Sequence, residues 1–214
     1  MIARRLLLGG LAVAPWRRAG ATSPLPPRNR LAFHVIRNGE TIGEHTLTFK
    51  RSADELAVEV AVDIAVGFGP ITLFRYRHRA TERRVGGQVV SVDAETNDDG
   101  TPQHMTARRD ETGLVVEGSR APRYTAPPRS LPGTHWDRAM LDAPFINTED
   151  GRLMQPTVTP GGMEQVSAAG ATVQAQCYAL RGEVNLDTCY DVTPTWVGLR
   201  FTAKDGSQIR YLPA

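Results

Sequence analysis

The stretch Leu56-Ala57-Val58-Glu59-Val60-Ala61-Val62-Asp63-Ile64-Ala65-Val66 decides the fold class. Every second residue is a large aliphatic, and those between are alanine or acidic. A strand projects successive side chains to opposite faces, so this run has one face to bury and one that water can wet. Wound as a helix, the same aliphatics would scatter around the circumference. Gly67-Phe68-Gly69-Pro70 ends the run. Ile71 to Arg84 then reads as another long strand, with Phe74, Tyr76 and His78 on one face and Arg75, Arg77 and Arg79 on the other.

The same alternation extends in both directions. Upstream, Leu31, Phe33 and Val35 precede Asn38-Gly39, a strong hairpin signal, and His45, Leu47 and Phe49 follow it. An uninterrupted two-residue turn would pair Phe33 with Glu44 and bring a carboxylate to the apolar side. One extra residue, as a bulge, pairs Phe33 with His45 and Leu31 with Leu47. The hydrophobic pattern selects the bulged register. Downstream, Gly86-Gly87 leads into a strand over 88–96, and Asn97-Asp98-Asp99-Gly100 leads into 103–109, with 113–117 after it. The last block gives strands over 172–180, 185–191, 196–203 and 208–212, with Asp205-Gly206 as a hairpin turn.

The middle differs. Residues 121–132 are rich in Pro and Arg, and 134–147 hold a short helical turn with Thr134 as its cap. Trp136, Met140 and Leu141 share a face of that turn, and Pro144 limits it. Several strand runs approach or exceed about ten residues, against a usual five or six. Long antiparallel strands must twist and curl. The expected architecture is all-β, a curved sheet or open barrel, with 121–147 covering its mouth or concave face. A two-sheet sandwich is the alternative.

The chain begins with Arg4-Arg5 before a short apolar run and reaches Ala19-Gly20-Ala21, an A-x-A-like cleavage site. Residues 1–21 read as an export signal, 22–30 as a flexible Pro-rich leader, and 31–214 as one β-domain. The Arg-Arg pair resembles the twin-arginine motif but lacks the Ser before it and has Leu where Phe is usual. An ordinary secretory signal is the alternative. The apolar run is about half the length that a membrane-spanning helix needs, so no transmembrane anchor is expected. The expected location is the periplasm or beyond, with the mature chain starting at Thr22. The formal charge of +2 includes Arg4, Arg5, Arg17 and Arg18, and without these four it becomes −2. A basic nucleic-acid-binding face is therefore not expected.

Cys177 and Cys189 are the two cysteines. An even count in an exported chain suggests one disulfide, with two buried thiols as the alternative. A connection over Gly182-Glu183-Val184 would set them opposite each other on antiparallel strands, about 4.5 or 5.5 Å apart at Cα. A disulfide accepts either separation.

Several phrases carry a resemblance: Asn38-Gly39-Glu40-Thr41-Ile42-Gly43-Glu44-His45, Tyr76-Arg77-His78 with Glu82, Tyr178-x-Leu180-x-Gly182, Cys189-Tyr190-Asp191 and Trp196-Val197-Gly198-Leu199-Arg200-Phe201. The chain resembles a proteobacterial family of exported β-rich proteins defined as a domain of unknown function. The resemblance implies an antiparallel fold and brings no catalytic residue. Where that family often has Trp before Tyr-Asp, this chain has Cys189, so the disulfide would be particular to it.

The sequence holds no G-x-S-x-G elbow, P-loop, dinucleotide fingerprint, H-E-x-x-H or C-x-x-C. Asn97-Asp98-Asp99-Gly100 reads as a turn rather than a calcium loop. No catalytic residue, metal site or cofactor is assigned. The candidate ligand-binding residues are His45, Tyr76, His78, Glu82 and Trp136. The first four are polar groups on faces that should be buried, where they must find partners. Trp136 either plugs the sheet or forms a lid over an apolar site. The favoured function is non-catalytic binding of an amphiphilic small molecule or a protein partner in the cell envelope. The alternatives are a hydrolase or isomerase using the His/Glu/Tyr cluster, and a structural or assembly factor.

Overall fold

The structure is a computed structural model that describes residues 25–68, 71–168 and 171–214. The expected export signal over 1–21 lies outside the described residues. The alternating runs become β1 (Arg30–Arg37), β2 (Glu40–Ser52), β3 (Glu55–Phe68), β4 (Ile71–Val85), β5 (Gln88–Asp98), β6 (Thr101–Asp110), β7 (Gly113–Gly118) and β8 (Ala121–Thr125). A crossing segment carries the short β9 (Phe145–Ile146) and β10 (Leu153–Met154). The chain ends with β11 (Thr157–Ala168), β12 (Ala171–Arg181), β13 (Leu186–Asp191), β14 (Trp196–Thr202) and β15 (Gln208–Pro213).

Among the described residues, every strand except β9 and β10 joins one sheet, in the order β11-β12-β13-β14-β15-β1-β2-β3-β4-β5-β6-β7-β8. The pairings within it are antiparallel, and β15 beside β1 stitches the C-terminal half to the N-terminal half. One continuous sheet replaces the alternative of two packed sheets. It curls without closing, and β8 and β11 are its edges.

The opening hairpin takes the bulged register. Phe33 faces His45 and Leu31 faces Leu47, with the irregularity between Val35 and Ile36. Asn38 and Gly39 both have positive φ, 50° and 97°, as a tight hairpin turn requires. Phe33, His45, Leu47 and Phe49 are all buried. The register carries one row across five strands: Phe33, His45, Val62, His78 and Thr96.

The segment between β8 and β11 fills the concave face. Trp136, Met140, Leu141, Phe145 and Met154 pack there against Phe49, Val58, Val60 and Ala80. Ile146 donates its N–H to Leu131 O and accepts from Gly133. At Gly118 a Cβ would lie 2.2 Å from the Asp150 carbonyl oxygen, so only glycine lets the segment cross β7 here. The regular helical turn is shorter than the pattern suggested. It is a 3-10 turn over Arg138–Asp142, and its cap is Asp137, not Thr134. Thr134 is used elsewhere, as a donor to Glu82. Where described, the leader packs: Leu25 lies against the core and a 3-10 turn spans Pro27–Asn29.

Cys177 and Cys189 are register partners joined by a disulfide, with a Cα separation of 4.1 Å. They face away from Leu180 and Tyr190 of the main core, into a small cluster with Ala175 and Val197 against which Val166 and Val173 pack. Reduction is expected to lower the stability by at most about 3 kcal/mol without loss of fold, because the bridge closes a short loop within one hairpin. Thermal unfolding with and without reductant checks this. Unchanged melting would show that the bridge adds nothing to the hairpin.

Candidate functional site

The inward faces of β2 and β4 carry polar residues into the core, and the crossing segment supplies their partners. Two neighbouring clusters result. The first is a buried ion network. Arg84 Nε donates to Glu82 Oε1 at 2.5 Å, and Arg84 Nη1 donates to Asp137 Oδ2 at 2.6 Å. Trp136 Nε1 and Thr134 Oγ1 donate to the other Glu82 oxygen at 3.2 and 3.3 Å. The Arg84 guanidinium also lies 4.5 Å from the Trp136 ring centroid. Glu82 is fully buried. Burial opposes the charge on Arg84, but Glu82 and Asp137 outweigh it and raise its pKa. This network ties the crossing segment to β4.

The second cluster is aromatic and rich in imidazole. His45 packs edge-on against Trp196 and Tyr211, with ring centroids 5.2 and 5.6 Å away, and Phe33 lies 4.2 Å from Trp196. His135 stacks on Trp196 at 5.4 Å. A positive φ of 64° at His135 bends the chain there, so that His135 serves this cluster while the adjacent Trp136 serves the ion network. The Tyr190 hydroxyl donates to the His135 carbonyl at 2.8 Å and holds the bend.

His78 is satisfied: Nδ1 shares a hydrogen bond with Thr96 Oγ1 at 2.8 Å, and Nε2 lies 3.4 Å from Thr148 Oγ1. His45 is not. Although it is buried, neither of its ring nitrogens meets a hydrogen-bond partner among the described residues, and neither does Nδ1 of His135. Desolvation pushes His45 down to about 3, helped by His135 and His78. Desolvation likewise brings His78 and His135 down to about 4, with Arg79 adding to the shift at His78. All three are neutral imidazoles at neutral pH, fit to donate and accept one hydrogen bond each. Tyr76, Tyr211 and Glu149 are partly exposed at one side of this cluster. The Tyr76 hydroxyl donates to Glu149 Oε1 at 2.6 Å. Burial, then the Glu149 carboxylate, keeps both phenols protonated.

The structure therefore splits the five candidates. His45, Tyr76 and His78 belong to the imidazole cluster, while Glu82 and Trp136 belong to the ion network. Alternation along β4 gives Glu82 and Arg84 the same facing, so the strand pattern itself points Arg84 inward. His135, Asp137 and Glu149 lie in irregular chain, where no periodicity points to them. No group of three His, Cys, Asp or Glu side chains arranged to hold a metal occurs among the described residues. No imidazole lines the two clefts of about 430 and 540 Å³, although Tyr76 of this cluster lines the larger. Both clefts are lined mostly by outward residues such as Thr46, Glu59, Asp63, Arg77, Arg79 and Asp93.

Residues 33–214 match the family described as a domain of unknown function, DUF6134. The chain belongs to the DUF6134 family. The match covers all of the sheet from Phe33 onward, and with it both clusters. No curated protein matches the chain. Among solved structures, the DUF6134 domain is similar to a β-barrel-like protein of another domain of unknown function, DUF1849, from Brucella abortus. The two share 10% identity, with 86% of this chain and 94% of that chain covered, at a TM-score of 0.58. At that identity the likeness concerns the fold of the DUF6134 domain alone.

Proposed function

We propose that this is an exported envelope protein that binds a small amphiphile without catalysis, with the polar end of the ligand received by His45 and His135. The observation that carries this reading is His45, a buried side chain with both nitrogens unpartnered among the described residues. Leaving a buried donor or acceptor unmade costs about 1–3 kcal/mol, so such a site favours a ligand that completes it. Phe33, Trp196 and Tyr211 supply apolar surface beside it. The concave face is filled by 126–154, so the ligand is small or that segment shifts on entry. Export rests on the Arg4-Arg5 signal and the Ala19-Gly20-Ala21 site.

Binding is favoured over hydrolysis or isomerisation because both nitrogens of His78 and both oxygens of Glu82 are already engaged within the protein. Native mass spectrometry of the protein recovered from its producing cells tests the reading. The expected result is a chain starting at Thr22 with a bound molecule, and a ligand-free His45→Phe variant. A ligand-free wild type would sink the binding proposal. An intact N-terminus in the membrane fraction would sink export by cleavage.

A further inference from the structure

The β3–β4 hairpin runs past its neighbours. The pairing of β2 with β3 stops at Gly43 and Ile64, and that of β4 with β5 stops at Tyr76 and Asp98. Beyond these rows, among the described residues, β3 and β4 pair as strands only with each other, from Ala65–Arg75 to Phe68–Ile71, and the Asp99 N–H donates to the Arg75 carbonyl at the base of the extension. This two-stranded extension is apolar on both faces. Ile71 and Leu73 lie on the outward face and are 61% and 67% exposed. Val66 and Phe74, on the opposite face, are partly exposed.

Basic residues follow the apolar ones along the same outward face. Arg75, Arg77 and Arg79 continue the alternation that starts with Ile71 and Leu73. Asp63 binds Arg77 and Arg79, at 3.3 and 2.6 Å. Arg75 is opposed by Ala65 and makes no ion pair among the described residues; the nearby Asp99 carboxylate accepts from its backbone N–H. An apolar projection backed by an uncommitted cation matches a lipid leaflet, with hydrocarbon in front and anionic headgroups behind. A protein interface would bury one face of such a ribbon. A leaflet accepts both.

We infer that the β3–β4 hairpin is a membrane-docking element that inserts Val66, Ile71, Leu73 and Phe74 into a leaflet and sets Arg75 against anionic headgroups. The inference is independent of the ligand proposed for the imidazole cluster. It is tested by co-sedimentation of the protein recovered from its producing cells with vesicles of phosphatidylcholine alone or with one-third phosphatidylglycerol. The wild type is expected to bind the anionic vesicles and to be released by salt. Ile71→Glu/Leu73→Glu should weaken binding at least tenfold. Arg75→Gln should weaken it about fivefold on anionic vesicles and leave zwitterionic ones unaffected. Unchanged thermal unfolding of these variants shows that the fold is intact, as expected for side chains in solvent. Equal binding by wild type and the double variant would overturn the inference. So would a wild type that ignores both vesicles, and cross-linking from position 73 to a protein without vesicle binding would assign the hairpin to a protein partner instead.

Discussion

Replacing Arg84 by methionine is expected to destabilise the protein by about 3–5 kcal/mol, the usual cost of breaking a buried ion pair from one side. The variant keeps a similar side-chain volume and removes the cation. Glu82 would then be fully buried with only the Trp136 and Thr134 donors to hold its charge. The desolvation of that carboxylate, which Arg84 now offsets, would be uncompensated. Urea denaturation measures the loss. The combined variant Glu82→Gln/Arg84→Met/Asp137→Asn removes all the charges together. It should recover most of the stability, since a neutral core need not compensate anything. A loss below about 1 kcal/mol for Arg84→Met would show that the network does not clamp the crossing segment. Hydrogen exchange over 134–142 gives a local readout, because Asp137 and Trp136 bring that segment to β4.

Acid should unfold the protein earlier than its carboxylates alone would require. His45, His78 and His135 lie at about 3, 4 and 4, against an ordinary 6.5. Between about 4 and 6.5 the unfolded chain therefore binds protons that the folded chain refuses. Stability is fully present above 6.5 and is lost as the pH falls toward the folded values. Each histidine contributes a slope of up to about 1.4 kcal/mol per pH unit, so the three together approach ~4 kcal/mol per unit. Ordinary carboxylates titrate mostly below about 4.5, so the upper part of the window isolates the imidazoles. Urea midpoints from pH 7 to 4.5 measure the slope. His45→Phe should make it shallower by about a third. A flat profile across that range would mean that the imidazoles are not buried in solution.

The strands were legible because alternation needs no distant partner. Leu56 to Val66 marks its faces by residue type, and Asn38-Gly39 with the apolar pattern fixes a bulged register between Phe33 and His45. The cysteine pairing followed from the same counting across one short turn. What escaped was chain that breaks the pattern. β8 carries Pro122 and β11 carries Pro160-Gly161-Gly162, so neither reads as a strand from its residues. Both lie at the sheet edges, where a missing N–H costs no ladder bond.

The sites divide along the same line. That His45, Tyr76, His78 and Glu82 face inward was determined by the sequence, since facing depends on position along one strand. What each meets there was decided by the fold. Glu82 and Arg84 are two residues apart, yet the second carboxylate on Arg84, that of Asp137, lies 53 residues beyond it, in a segment without periodicity. His78 finds Thr96 across one strand pairing and Thr148 from a loop 70 residues away. His45 looks like His78 in the sequence, but its neighbours are the rings of Phe33, Trp196 and Tyr211. Alternation is a property of adjacent residues and survives without tertiary contacts. Whether a buried nitrogen is satisfied depends on which distant side chains the crossing segment delivers, and only the folded chain decides that.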